Sequence, residues 1–386
     1  MPWLRWALLS KMAKTVLLGH VCNFFNSLVH TLMASSLFRN KRLWIVALLV
    51  VALAVPYIMY LRPGSRTPKP TPVEPPPKVV VNVPPFNADT AFYFVGKQVS
   101  FGPRVPGTPA HKKCAAWLVS EFRRFGLEVV EQPFVAKTYF GPRDAVNIIA
   151  QYHPERTNRV LLCAHWDSRH IADKDTKDTD KPILGADDGA SGVAVLLEIA
   201  RILQQHPVEI GVDFVLFDAE DLGDDRSESG QSVMAQASND QKTLTWCLGS
   251  QHWARTPHRP GYTAQYGILL DMVGARGALF PREGYSAQNA PGLQNRIWEI
   301  AQELGYAGYF INRPGGYITD DHVFVMRGLR IPVVNIISIP NPPPAAFGAH
   351  HHTHQDNLDV IDRNVLGMVG HVVTTVLFRT AAGVLM

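Results

Sequence analysis

Asp188, the adjacent pair Glu220-Asp221, and His352 are the residues of this chain whose types and order suit catalysis. Imidazole and carboxylate are ordinary zinc ligands, and a catalytic zinc takes three from the protein and keeps a fourth position open. Asp188, Asp221 and His352 meet that count. Neighbouring residues after a strand point in different directions, so Asp221 can take the metal while Glu220 faces the substrate as general acid and base. Any one of these alone reads as a surface carboxylate or a capping Asp. Their joint order, each at the end of an apolar run, is what makes a site of them.

Those runs supply the positioning elements. Val160 to Ala164 is a buried-strand pattern ending in His165-Trp166-Asp167, and Asp213 to Phe217 is another ending in Asp218-Ala219-Glu220-Asp221. Gly267 to Asp271 repeats the pattern, and Ile331 to Ile337 leads through a Pro-rich loop to His350-His351-His352. Between the first two strands, Gly185 to Gly192 opens a helix whose Val193, Leu196, Leu197, Ala200 and Leu203 fit helical spacing. Further helices are predicted over 110–125, 293–304 and 364–378. Strands alternating with helices predict an α/β fold, a central twisted, largely parallel mixed sheet flanked by helices, with ligands at the carboxyl ends of the strands.

The motifs HWD at His165, GADDGASG at Gly185, DAED at Asp218, LGSQHWA at Leu248 and HTHQDN at His352 resemble the zinc aminopeptidase-like M28 clan over roughly Ser100 to Phe378. Within that clan, LLDMVGARGALF from Leu269 and GGYITDDHVFVMRGLRIPVV from Gly315 resemble the glutaminyl-peptide cyclotransferases, with Asp320 where peptidases typically carry Ser. The resemblance implies the zinc aminopeptidase-like fold, with Asp188, Asp221 and His352 as ligands of one zinc and Glu220 as proton carrier. Asp271 and Asp320 complete an acidic network, and the substrates are peptides or proteins that begin with Gln. It implies cyclisation of that Gln to pyroglutamate with loss of ammonia. The alternative is a zinc aminopeptidase with two ions, because His165 and Asp271 occupy the clan's second-metal positions. The chain departs from the animal cyclases at Asp221, usually Glu, at His351 and Arg226, both Trp there, and at Cys163 and Val193, where a cysteine pair is not reproduced. A bacterial-type cyclase is the better match.

The remaining chain bears on where this happens. Residues 43–61 form an uncharged apolar run long enough to span a bilayer, for which about 20 residues suffice, preceded by Arg39, Lys41 and Arg42. The expectation is a cytoplasmic segment at 1–42, in which Met33 makes a conventional start, then a transmembrane anchor at 43–61 and a stiff Pro-rich linker at 62–86. A catalytic domain at 87–386 then lies on the exoplasmic side, in a Gram-negative periplasm first and a eukaryotic secretory lumen second. The loop from His170 to Pro182 is dense in charge and reads as a solvated rim, and His350, His354, His170, His206 and His371 as loop, surface or core residues. Four cysteines without a CxxC pair require no disulfide. A net charge of +4 that owes much to the N-terminal segment, with no phosphate-binding motif, argues against nucleic acid as a partner.

Overall fold

Four of the strands are buried throughout because both of their faces are covered by helices, the usual state of parallel strands. This computed structural model describes residues 81–224, 245–341 and 347–385, together with Ala52. The chain divides into two compact units, Met1–Lys78 and Val79–Met386. The expected anchor at 43–61 and Arg226 lie outside the described residues, as does most of the expected linker at 62–86. Among the described residues no helix is long and apolar enough to cross a membrane.

In chain order the domain comprises α1 (Ala88–Val99), α2 (Pro109–Arg124), β1 (Glu128–Thr138), β2 (Gly141–Tyr152), β3 (Arg159–His165), α3 (Ala190–Gln205) and β4 (Gly211–Phe217). There follow α4 (Leu248–Arg255), β5 (Gly267–Asp271), β6 (Phe280–Arg282), α5 (Gly284–Asn289), α6 (Pro291–Glu303), β7 (Phe310–Pro314), α7 (Asp321–Leu329), β8 (Val333–Ile337) and α8 (Arg363–Ala381). The main sheet has the order β1-β2-β4-β3-β5-β8. β3 runs parallel to β4 and to β5, and β5 parallel to β8. The β1–β2 and β2–β4 pairings are antiparallel.

Alternate residues of the strands feed two cores. Leu162, Ala164, Phe214, Leu216, Ile268 and Ile336 pack with α1, α2, α3, α6 and α8 on one face. Leu161, Cys163, Val215, Phe217 and Leu269 pack with Trp253 of α4 and Val325 of α7 on the other. The connection from β3 to β4 therefore crosses one face and that from β4 to β5 the other. Such a switch in direction opens a crevice at the carboxyl ends of the strands.

The four strands and four helices read from periodicity are present, with boundaries within a few residues. The long β1–β2 hairpin is an addition. It was illegible because β1 is an edge strand whose Glu128, Glu131 and Lys137 are exposed and whose Pro133 breaks a strand-like pattern, features that blunt an edge against association.

Candidate active site

Each loop that carries a candidate ligand leaves the sheet at the same edge. His165 is the last residue of β3, Asp271 the last of β5, and Glu220-Asp221 come after two residues that follow β4. Ala219 (φ 54°), Met272 (φ 48°) and His352 (φ 59°) adopt the left-handed conformation, at about 1–2 kcal/mol each for a non-glycine residue. Such local strain turns the chain sharply at each of these positions and is typical of functional sites. Gly189, at φ 96°, serves the same purpose before α3: a Cβ there would lie 2.6 Å from the Asp167 carbonyl oxygen.

Two buried carboxylates fix these loops. Asp167 accepts hydrogen bonds from the backbone N–H groups of Glu220 (3.1 Å) and Asp221 (3.2 Å), and Asp356 does the same for Asp187 (2.7 Å) and Asp188 (3.1 Å). The side chains converge as a result. His352 Nε2 lies 3.2 Å from Asp221 Oδ1 and 3.8 Å from Asp188 Oδ2. His165 Nε2 lies 3.0 Å from Asp188 Oδ1 and 3.3 Å from Asp271 Oδ1. Asp188 is thus shared by two candidate cation positions. Asp221 Oδ2 is buried without a hydrogen-bond partner, as suits an oxygen that serves a metal.

Beside them lies an acidic group. Glu220 Oε1 accepts from the Cys247 thiol at 3.0 Å, and a ligand atom from each of Glu220, Cys247 and Asp320 falls within 4.8 Å of the others. Asp320 caps α7 through the N–H of Asp321, and the Asn335 side-chain amide of β8 donates to its Oδ2 at 2.7 Å. Burial pushes Glu220 well above its ordinary value, opposed by His165 and aided by Asp320, Asp321 and Asp221. It pushes Asp271 up to about 8, against the His165 hydrogen bond and with the charge of Asp320. Asp221 and Asp320 are likewise raised by burial. Asp188 differs: the His165 hydrogen bond and charge outweigh its burial and hold it below the usual range. Carboxyls raised in this way bind protons more tightly than exposed ones, and a divalent cation among them would release protons, because metal ligands bind deprotonated. The donor set of carboxylates and imidazoles fits zinc.

All seven residues singled out from the sequence, Asp188, Asp221, His352, Glu220, Asp271, Asp320 and His165, meet at this edge. Several residues that shape the site were not singled out. Asp167 and Asp356 lay inside the quoted motifs without a role. His351 stacks on His352 with ring centroids 3.8 Å apart, and its Nε2 is 3.8 Å from Asp188 Oδ2, which places it among the ligand atoms. His350 is more than a loop residue, since its Nε2 lies 2.9 Å from Asp187 Oδ2. The loop at 170–182 is not wholly a solvated rim either: Asp173 is only 19% exposed and its Oδ1 lies 3.4 Å from His352 Nδ1. Its composition reads as wet because one buried arginine, Arg169, turns that single carboxylate inward. Cys114, Cys163 and Cys247 are free and buried.

Comparison with known proteins agrees with this geometry. The family model for Peptidase family M28 matches residues 147–377. The glutaminyl-peptide cyclotransferase of Bos taurus is 28% identical over 290 residues, covering 68% of this chain and 74% of that protein. The crystal structure of Porphyromonas gingivalis glutaminyl cyclase superposes with a TM-score of 0.71 at 47% identity, covering 76% of this chain and 99% of that one. A Zn-dependent exopeptidase from Parabacteroides distasonis gives 0.71 at 46% identity, covering 77% and 99%.

Proposed function

The chain belongs to peptidase family M28, and we infer that within it the chain is a zinc-dependent glutaminyl-peptide cyclotransferase. It converts the N-terminal glutamine of peptides and proteins to pyroglutamate and releases ammonia. Its similarity to cyclases of known structure extends over nearly the whole of their length. The observation that carries cyclisation over peptide hydrolysis is Asp320, held by Asn335 beside Glu220 and close enough to raise Asp271.

In the reaction the substrate's α-amine nitrogen bonds to its own side-chain amide carbon, the bond from that carbon to the amide nitrogen breaks, and the amine's proton leaves with ammonia. Asp188, Asp221 and His352 would hold one zinc ion, which when bound supplies Lewis-acid polarisation of the amide carbonyl. Glu220 carries the proton from the attacking nitrogen to the departing one. Its raised affinity for protons suits a group that must both take and give at neutral pH. Asp271 and Asp320 orient the amine and the amide, so that the attack proceeds from a fixed approach. A peptidase needs a water nucleophile at this place, whereas the cyclase works by excluding it.

A second reading, a dinuclear exopeptidase, draws on His165, Asp188 and Asp271, whose ligand atoms also lie within 4.8 Å of one another. One experiment separates the two. The purified full chain is incubated with a Gln-initiated and a Leu-initiated peptide, and products are followed by mass spectrometry. Loss of ammonia from the first with the second untouched is expected; release of free leucine, with two zinc ions per chain, would establish the exopeptidase. The run at 43–61 is further proposed to anchor the domain to a membrane on its exoplasmic, periplasmic side, a reading supported by sequence patterning alone. Recovery of the native protein in the soluble fraction would overturn it.

A further inference from the structure

One fully buried arginine touches both sides of the metal centre. Arg169, four residues beyond His165, directs its guanidinium away from solvent. Its Nε and Nη2 donate to Asp173 Oδ1 (2.8 Å) and Oδ2 (2.6 Å) as a two-pronged grip. Its Nη1 donates to Asp221 Oδ1 (3.3 Å), to the Asp221 carbonyl (3.2 Å) and to the Gly223 carbonyl (3.3 Å). Trp246 covers the group from above, 4.9 Å from its ring centroid, and lies nearly parallel to His352.

One arm ends on a residue assigned to the metal, the other on a carboxylate that faces one. On one side the guanidinium holds Asp221 by both its carboxylate and its backbone. On the other it holds Asp173, whose Oδ1 faces His352 Nδ1 at 3.4 Å. His352 turns its other nitrogen, Nε2, towards Asp221 and Asp188. A carboxylate behind a ligating imidazole fixes its tautomer, orientation and basicity.

Resting on the reading of Asp188, Asp221 and His352 as zinc ligands, we propose that Arg169 is the positioning residue of the centre, clamping Asp221 directly and His352 through Asp173. Only a planar fork with several fixed donors can hold both carboxylates at once; a lysine has the charge without the geometry. The two ligands arrive from loops after different strands, and Arg169 makes one rigid unit of them. Its assigned task is metal retention and ligand geometry, without contact to substrate.

The test measures zinc affinity of the full chain by competition with a chromophoric chelator, alongside steady-state kinetics. Arg169→Met is expected to weaken zinc binding about 10- to 100-fold, the range typical of groups that support metal ligands. Arg169→Lys should recover part of that loss, and kcat at saturating zinc should fall more than KM rises. Unchanged zinc affinity in folded Arg169→Met would overturn the proposal, because a purely structural arginine lowers the melting temperature and leaves the affinity of the folded protein alone. If that variant does not fold, Asp173→Asn removes only the His352 arm: weaker zinc binding supports the clamp and wild-type affinity refutes it. Failure of the underlying reading is distinguishable, since wild-type protein would then bind no zinc at all.

Discussion

The two ends of β4 carry acidic residues in opposite circumstances. Near its start, Asp213 is fully buried and met from every side: Arg159 grips it through Nε and Nη2, and the Tyr262 hydroxyl donates to Oδ2 at 2.7 Å. Just beyond its end, Glu220 has a thiol for a partner and Asp221 keeps one oxygen unpaired. Burial is similar at both ends, so desolvation does not distinguish them. What differs is the supply of positive donors. A saturated carboxylate is committed to structure, whereas an undersupplied one holds a proton or a cation and can exchange it.

Breaking each end in turn sharpens the contrast. Glu220→Gln should lower kcat by about 10²–10⁴-fold, the usual contribution of a general acid-base group, with zinc content by elemental analysis unchanged. A variant retaining full turnover would remove Glu220 from the proton path. Asp213→Ala should do the reverse. Leaving the buried Arg159 charge alone should destabilise the domain by about 3–5 kcal/mol in denaturant melts, while turnover per folded molecule stays at the wild-type level.

Asp320→Ser tests the feature that separates cyclase from peptidase. Cyclisation should fall by about 10²-fold, the scale of a lost orientation, with zinc still bound. Equal rates in variant and wild type would detach Asp320 from the reaction.

A last effect is one of pH. Folded Asp271 holds its proton up to about 8 against an ordinary value of 3.8. Between those values the folded domain binds a proton that the unfolded chain has released, so this group's contribution to stability falls as pH rises through that window. In the metal-free protein, Asp271→Asn should flatten the decline in melting temperature from about pH 4 to about pH 8. Identical slopes for the two proteins would show that Asp271 titrates as an ordinary carboxylate.

By itself the sequence determined the strands at 160–164, 213–217, 267–271 and 331–337, the helix after Gly189, and the residues that each strand delivers to one edge. These depend on periodicity and on short motifs, which are local properties of the chain. The β1–β2 hairpin escaped because a wet-faced edge strand has little apolar pattern. Only the tertiary structure decided which carboxylates would be saturated and which left wanting. Asp213 and Asp221 are the same residue type, eight positions apart and both buried, and nothing local distinguishes their fates. Arg159 reaches one of them because β3 pairs beside β4 in parallel, with Leu161 opposite Asp213. Arg169 reaches the other because the loop after β3 folds back over the loop after β4. The same crossing turns Asp173 from an apparent surface charge into the support behind His352. Partner choice depends on strand register and on where loops cross, and those are set by the packing of residues far apart in the chain.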